Sequence, residues 1–288
     1  MTFAVRQLNL QFTTGGNSPI SLDGLRATAV ITNPGGNNAF GQLQLRVYGM
    51  TLDQMNTYSS TGANMVLVNN QSIVVTAGDE GTTLNQVFGG NIVASFIDFS
   101  SVPDVAFVCS AVAGYANKGI PAAGLSWQGA QNAETIIESL ATSIGFTFQN
   151  FNKAHAILEN QITYGSIVDQ MQTIARNARI PIAIENGKVA IWPNTGGNPY
   201  RDNVEININA QNGLVGYPSY WESGFIIKTQ FNPQILMGRR INLNGTPITK
   251  ANGVFPIQSI THELSTLTPD GPWFTITKLA PPPYVRIN

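Results

Sequence analysis

The sequence has 288 residues, of which 43% are hydrophobic and only 11% are charged, and its formal net charge is −1. This amount of apolar material is enough for the cores of about two ordinary domains, which excludes a disordered chain. A nearly neutral chain also argues against a nucleic-acid binder, because such proteins need a clustered basic face to contact phosphates.

The low charge content also bears on how the surface is used. Charged residues make up about a quarter of a typical protein, and here the polar surface must consist largely of Gly, Asn, Ser, Thr and Gln. Such a surface favours a protein that neighbouring subunits cover in an assembly. An ordinary monomer with an Asn-rich surface explains the same composition.

Cysteine use and apolar runs limit the class of protein further. Cys109 is the only cysteine, so an internal disulfide is excluded, and its apolar surroundings predict an inert core residue. The longest apolar stretch, residues 102–116, contains Pro103 and Asp104 and is shorter than the roughly 20 residues of a membrane-spanning helix. We therefore expect no membrane anchor.

Residues 1–104 are predicted to form a first β-barrel domain. Period-two alternation and β-branched residues indicate strands at Ala4–Phe12, Leu43–Tyr48, Ser72–Thr76 and Val87–Val93. A turn is predicted at Ala77–Asp79, and a short helix within residues 52–63.

Residues 105–212 are predicted to form a middle α+β domain, in which residues 118–129 are a loop. A helix is expected from Ala133 to Ile144, because its apolar residues fall on one stripe between a capping Asn132 and a terminating Gly145.

A second helix of the middle domain has stronger signals. Ser166 and Asp169 form a capping-box-like start, and Pro181 stops the run. Further on, Asn186 and Gly187 stand between two apolar runs, which is a strong hairpin signal.

Residues 213–288 are predicted to form a second β-barrel domain. Its strands are expected at Phe225–Ile227, Ile241–Leu243, Val254–Ile257 and Phe274–Thr277, split by Gly, Pro and Asn. The predicted fold is mainly β with a small α+β insertion: two β-barrel, tube-like domains flank the middle α+β domain.

Few residues suit catalysis or metal binding. The chain has two histidines, and His262-Glu263 lacks a second histidine one helical turn later, where Thr266 stands. His262 also lies in a predicted strand, so a structural role for its ring is the preferred interpretation.

Two other functions remain open at this point. A small peptidoglycan hydrolase would use Glu134 or the Asp79-Glu80 pair, although Glu134 and Glu138 are expected on an exposed helix face where they serve solubility. A carbohydrate-binding β-module would use exposed aromatic residues, although core packing explains the tryptophans more simply. The four tryptophans are Trp127, Trp192, Trp221 and Trp273.

The order of several landmarks along the chain is the most specific signal. These are an aromatic strand, Asn232-Pro233, a Leu-Met-Gly-Arg turn, a hairpin, Ile260–Leu264 and Trp273-Phe274. Upstream, Gly78 follows a strand and Val87-Phe88-Gly89 opens another. This order resembles the baseplate hub proteins of bacteriophage tails, the family that includes late control protein D. The residues that carry the family motif are Gly78, Phe88, Gly89, Pro233, Gly238, His262, Glu263 and Trp273.

The resemblance implies a structural role. Hub subunits form homotrimers whose two barrels per chain alternate around the axis, so that a pseudo-sixfold ring joins the sixfold tail tube to the threefold central spike. The resemblance implies partners among tube, spike and other tail-tip proteins, DNA passing through the lumen without specific binding, no catalytic residue, no cofactor and no metal. It also implies a virion protein that assembles in the cytoplasm of the bacterial host.

The charges are unevenly distributed. Residues 1–104 contain three Lys or Arg and six Asp or Glu, whereas residues 213–288 contain six and three. Opposite charges on the two end domains suggest that they meet between subunits, with Arg239 and Arg240 as candidate contacts. A solvated turn explains the two arginines equally simply.

Overall fold

The computed structural model describes residues 5–15, 19–35, 40–60, 71–118, 120–194, 200–222 and 224–281. Strands dominate these residues, which confirms the mainly β prediction. The strands are β1 Arg6–Thr13, β2 Ile20–Leu22, β3 Ala27–Asn33, β4 Gln42–Tyr48, β5 Ser72–Asp79, β6 Asn85–Asp98, β7 Ala106–Val112, β8 Leu125–Asn132, β9 Thr147–Asn150, β10 Ile157–Thr163, β11 Ile182–Glu185, β12 Lys188–Ile191, β13 Glu205–Ile208, β14 Leu214–Trp221, β15 Gly224–Gln230, β16 Arg240–Leu243, β17 Gly253–Thr266 and β18 Trp273–Leu279. The helices are α1 Leu52–Tyr58, α2 Tyr115–Lys118, α3 Ala133–Ser143 and α4 Ile167–Asn177.

The chain forms two compact units, each assembled from segments that are distant in sequence. The described part of unit 1 lies within residues 5–32, 40–116 and 262–273, and that of unit 2 within 33–35, 117–261 and 274–281. The division into three consecutive domains at residues 104 and 212 stays a prediction.

Unit 1 is built on an antiparallel sheet. Hydrogen bonding orders its strands β17, β3, β4, β7, β6, β5, β1 and β2, and β17 enters the unit with residues 262–266. Alternate residues of β1, β4, β5 and β7 are buried. The fully buried rings of Phe12, Tyr58 and Phe107 pack together at centroid distances of 5.0 and 5.9 Å.

Unit 2 combines helices and sheets. Helices α3 and α4 pack against each other, and a three-stranded sheet has the order β11, β12, β9. Strands β14, β15, β18 and β17 pair in that order, and β16 pairs with both β17 and β13. One apolar cluster joins Ala190 of β12 and the adjacent Trp192 with Ile227, Ile241 and Phe255, so β12 shares a core with the later strands.

The prediction of barrels is not confirmed, because the strand order does not close. Within the described chain, β2 and β14 each have one neighbouring strand. β2 covers only Leu10–Phe12 of β1, and residues Arg6–Asn9 pair with β5 alone. A strand of three residues is too short to continue the sheet along the whole of β1.

Helix α4 confirms the capping prediction at its start. The Ser166 hydroxyl accepts from the Asp169 amide, and the Asp169 carboxylate accepts from the Ser166 amide. The helix ends at Asn177, four residues before Pro181, because Arg179 takes a φ of 55° and the Ile180 amide turns back to the Ala175 carbonyl.

Helix α3 confirms its predicted boundaries but not its predicted cap. Asn132 occupies the N-cap position and Gly145 follows the C-cap, yet the Asn132 side chain makes no capping hydrogen bond. The short helix predicted within residues 52–63 is also present as α1; its expected tip, at residues 61–63, lies outside the described residues.

Two local predictions are wrong. The turn expected at Ala77–Asp79 lies later, since β5 continues to Asp79 and the Thr82 amide donates to the Asp79 carbonyl. Residues 118–129 are not all loop, because β8 starts at Leu125 and pairs with β10. Asn186 and Gly187 do form the predicted hairpin between β11 and β12.

No helix in the described ranges combines the length and apolar character that crossing a bilayer requires.

Candidate interaction surfaces

The two residues His262 and Cys109 are both buried. The described chain contains no cluster of three or more His, Cys, Asp and Glu side chains suited to a metal ion. His262 lies in β17 as predicted, and burial lowers the pKa of its imidazole to about 4. Cys109 is buried, which confirms the prediction of a core position, and burial raises the pKa of its thiol to about 12.

Glu134 has a partner that the sequence did not indicate. One carboxylate oxygen lies 2.5 Å from Nδ1 of His155, and the other is buried without a hydrogen-bond partner. The Glu134 side chain is only 18% exposed, so the prediction of an exposed face is wrong for Glu134, whereas Glu138 is exposed. The pair ties α3 to the residues before β10.

Asp79 and Glu80 are exposed at the end of β5. Asp79 stands opposite Arg6 in the β1–β5 register. The Arg6 guanidinium instead donates to the Gly271 carbonyl and lies 5.7 Å from the Trp273 ring centroid. No salt bridge reaches either carboxylate from the described part of the chain.

Arg239 and Arg240 have carboxylate partners in their own chain. Nε of Arg239 donates to Asp202 at 2.8 Å, and its Nη1 donates to the Gln234 carbonyl. Nε of Arg240 lies 3.2 Å from Glu205, at an angle outside hydrogen-bond geometry. Their role between subunits stays a prediction.

A buried arginine fixes the Leu-Met-Gly-Arg turn. Arg201 is 7% exposed and lies 3.5 Å from Glu185, and its guanidinium donates to the Met237 carbonyl. Gly238 has a φ of 80°, and a Cβ there would lie 2.6 Å from the Trp192 ring. The turn therefore needs glycine both for its backbone and for the close approach of the indole.

The other residues of the family motif are all buried or half-buried. Phe88 is 2% exposed, and Gly89 pairs with Val74 of β5. Pro233 follows Asn232, whose side chain accepts from the Gln234 amide. Gly78 is buried in β5, Glu263 is half-buried in β17, and Trp273 is buried at the start of β18.

The outer face of strands β14, β15 and β18 carries two lysines among apolar side chains. We call this surface the lysine face and define it by Trp221, Ile226, Lys228, Phe274, Ile276 and Lys278, all of which are half-buried. Lys228 and Lys278 lie over aromatic rings, with Nζ 4.1 Å from the Phe274 centroid and 4.4 Å from the Trp221 centroid. The sequence did not single out either lysine.

A family model matches most of the chain. The family model described as baseplate hub gp41 matches residues 40–277. No curated protein matches the sequence.

Several phage tail proteins have a similar fold. The 43 kDa tail protein of prophage MuSo2 from Shewanella oneidensis is 10% identical, with a TM-score of 0.61 over 94% of this chain and 96% of that one. The tail protein from Neisseria meningitidis MC58 is 11% identical, with a TM-score of 0.62 over the same shares. A chain of the Francisella PdpA-VgrG complex is 8% identical, with a TM-score of 0.52 over 95% of this chain and 52% of that chain.

The match over residues 40–277 covers most of the sequence, and the solved tail proteins share its fold. The chain belongs to the baseplate hub gp41 family and is a phage baseplate hub protein.

Proposed function

We propose that this protein is a structural, non-enzymatic subunit of the baseplate hub that works as a homotrimer. Two strand-rich modules per chain alternate around the axis and give a pseudo-sixfold ring. The ring joins the sixfold tail tube to the threefold central spike and surrounds the channel through which DNA passes. Family membership over residues 40–277 is the observation that carries this proposal.

The structure supports the proposal in two ways. Paired strands occur in the first and the last thirds of the chain, in units 1 and 2. A strand edge is open in each unit, since β2 and β14 have one neighbour each among the described strands. Open edges are sites where a further strand from a partner is able to add.

Partners follow from the same proposal. A similar chain belongs to a complex of PdpA with VgrG, and by analogy this chain binds other tail-tip components, the tube protein and the central spike. Assembly takes place in the host cytoplasm before the tail is complete.

Native mass spectrometry of the purified chain, followed by electron microscopy down the symmetry axis, tests the proposal. The expected species has three times the mass of the 30.9 kDa chain, and its end view shows six similar lobes. Purified tube and spike proteins are added in a second arm, because formation of the ring can require contact with these proteins. A chain that stays monomeric in both arms, or a ring without six lobes, overturns the proposal.

A further inference from the structure

The lysine face places two cations close together on a sheet. In the β15–β18 register Lys228 stands opposite Ile276 and Lys278 stands opposite Ile226. The two lysines are therefore diagonal neighbours on adjacent strands, where side chains are about 7 to 8 Å apart at their bases. No carboxylate of the described chain forms a salt bridge with either ammonium group.

The surroundings of the two lysines favour a carboxylate partner. Each ammonium lies against an aromatic ring, and the side chains between them are isoleucines. A partner that covers this apolar surface excludes water, and an ion pair formed there is stronger than one in bulk solvent. A neutral partner would instead leave two desolvated charges unpaired, which is costly.

Two adjacent carboxylates, the same number as the lysines of the lysine face, lie elsewhere on the chain. We define the acidic tip as Asp79 and Glu80, which are consecutive and exposed where β5 ends and the next turn begins. Because Arg6 is engaged with the Gly271 carbonyl and the Trp273 ring, both carboxylates remain without a salt bridge to any described residue. Two anions on a turn are able to meet two cations on a sheet face.

We propose that the lysine face of one copy binds the acidic tip of a second copy. The inference rests on the proposed homotrimer and names the charged contact within it. The two surfaces differ and lie on different units, so each contact is head-to-tail, and repetition closes a ring when the rotation per subunit fits. Complementary charge also selects the correct neighbour and speeds its encounter.

Zero-length carbodiimide cross-linking tests the contact directly. A mixture of 14N-labelled and 15N-labelled full-length chains is treated at low salt, and cross-linked peptides are identified by mass spectrometry. We expect peptides that join Lys228 or Lys278 of one isotope to Asp79 or Glu80 of the other. Lys250 and Glu138, which are exposed and lie outside both surfaces, serve as controls and give no such pair. Cross-links confined to one isotope overturn the inference.

Charge exchange provides the second test. The Lys228→Glu/Lys278→Glu variant is expected to raise the dissociation constant of the trimer at least about tenfold, and adding Asp79→Lys/Glu80→Lys restores it. The Lys250→Glu variant assembles as the unaltered chain does. Where the reversed lysines reduce thermal stability, Lys228→Gln/Lys278→Gln replaces them, with the same expected loss of trimer.

The outcomes separate this inference from the proposed function. A trimer that assembles normally with the lysines reversed overturns the inference and leaves the homotrimer in place. A chain that never forms trimers overturns the proposed function itself. Salt-sensitive binding of a short DNA duplex that needs both lysines, without the cross-link, assigns the face to nucleic acid and also overturns the inference.

Discussion

Individual residues show where sequence patterns carry information and where they do not. Cys109 was predictable because a lone thiol in an apolar strand is usually buried, and it is buried. Arg201 was not predictable, because a charged residue is expected at the surface and nothing local marks one that pairs with Glu185. The contact between Glu134 and His155 joins residues 21 positions apart, and only the tertiary structure brings them together.

Substitution of Gly238 by alanine is expected to destabilise the chain by about 2 to 4 kcal/mol. A positive φ costs an alanine about 1 kcal/mol or more, and a Cβ 2.6 Å from the Trp192 ring adds overpacking. Gly245→Ala is the matched control, since its φ is 67° and no heavy atom lies within 4 Å of the added Cβ. Chemical denaturation of both variants measures the difference, and equal losses would contradict the role of the Trp192 contact.

Stability should fall as the pH falls because His262 is buried. Its pKa is about 4 in the folded chain against 6.5 for an ordinary histidine, so protonation favours the unfolded chain. The contribution of His262 to the free energy of unfolding is complete above pH 6.5. It is lost progressively toward pH 4, by up to roughly 3 kcal/mol. The free energy of unfolding is measured at pH 6.5 and at pH 4 for the unaltered chain and for His262→Gln. The contribution of His262 is the difference between the two chains in how this free energy changes with pH. A difference that does not change with pH would refute the prediction.

At the scale of helices and strands, most of the fold was predictable because its signals are local. Capping residues, period-two alternation and the Asn186-Gly187 hairpin depend on neighbours in sequence. Strand β8 was missed because its residues, from Leu125 to Asn132, do not alternate and are nearly all exposed. Such a strand is defined by its partner β10, about thirty residues later. The turn after β5 was misplaced because buried Gly78 continues the strand.

The two helix N-caps of unit 2 form a matched pair for mutation. Ser166→Ala removes the side-chain bond to the Asp169 amide and is expected to cost about 1 kcal/mol. Asn132→Ala removes a cap residue that makes no such bond, and a change within about 0.5 kcal/mol is expected. Equilibrium unfolding in urea measures both, and a loss at Asn132 as large as that at Ser166 would show that capping is not the cause.

For the whole molecule, the family assignment was predictable from the order of landmarks, whereas the division of the chain into units was not. Composition changes along the sequence mark segments, but a compact unit is defined by contacts in space. Residues 262–273 join unit 1, although their neighbours in sequence belong to unit 2. Charge totals by segment likewise suggested Arg239 and Arg240 as contacts between subunits. Such totals do not reveal that Asp202 and Glu205 lie beside the two arginines.

The Arg239→Glu variant separates the internal and the intersubunit roles of the turn. Losing the bond to Asp202 and placing two carboxylates together is expected to lower the unfolding free energy by about 2 kcal/mol, even where no oligomer forms. Thermal melting at micromolar and nanomolar concentrations, in low and high salt, measures this loss. A melting temperature that changes only at concentrations where trimers exist would instead assign the arginine to the contact between subunits.

The late entry of residues 262–273 into unit 1 has a consequence for synthesis on the ribosome. The strands encoded in the first 116 residues emerge early but lack the last strand of their unit until residues 262–273 have been translated. During that interval the nascent sheet has an uncovered border at β3. Chaperone binding to stalled nascent chains should accordingly persist until about residue 273 has left the exit tunnel.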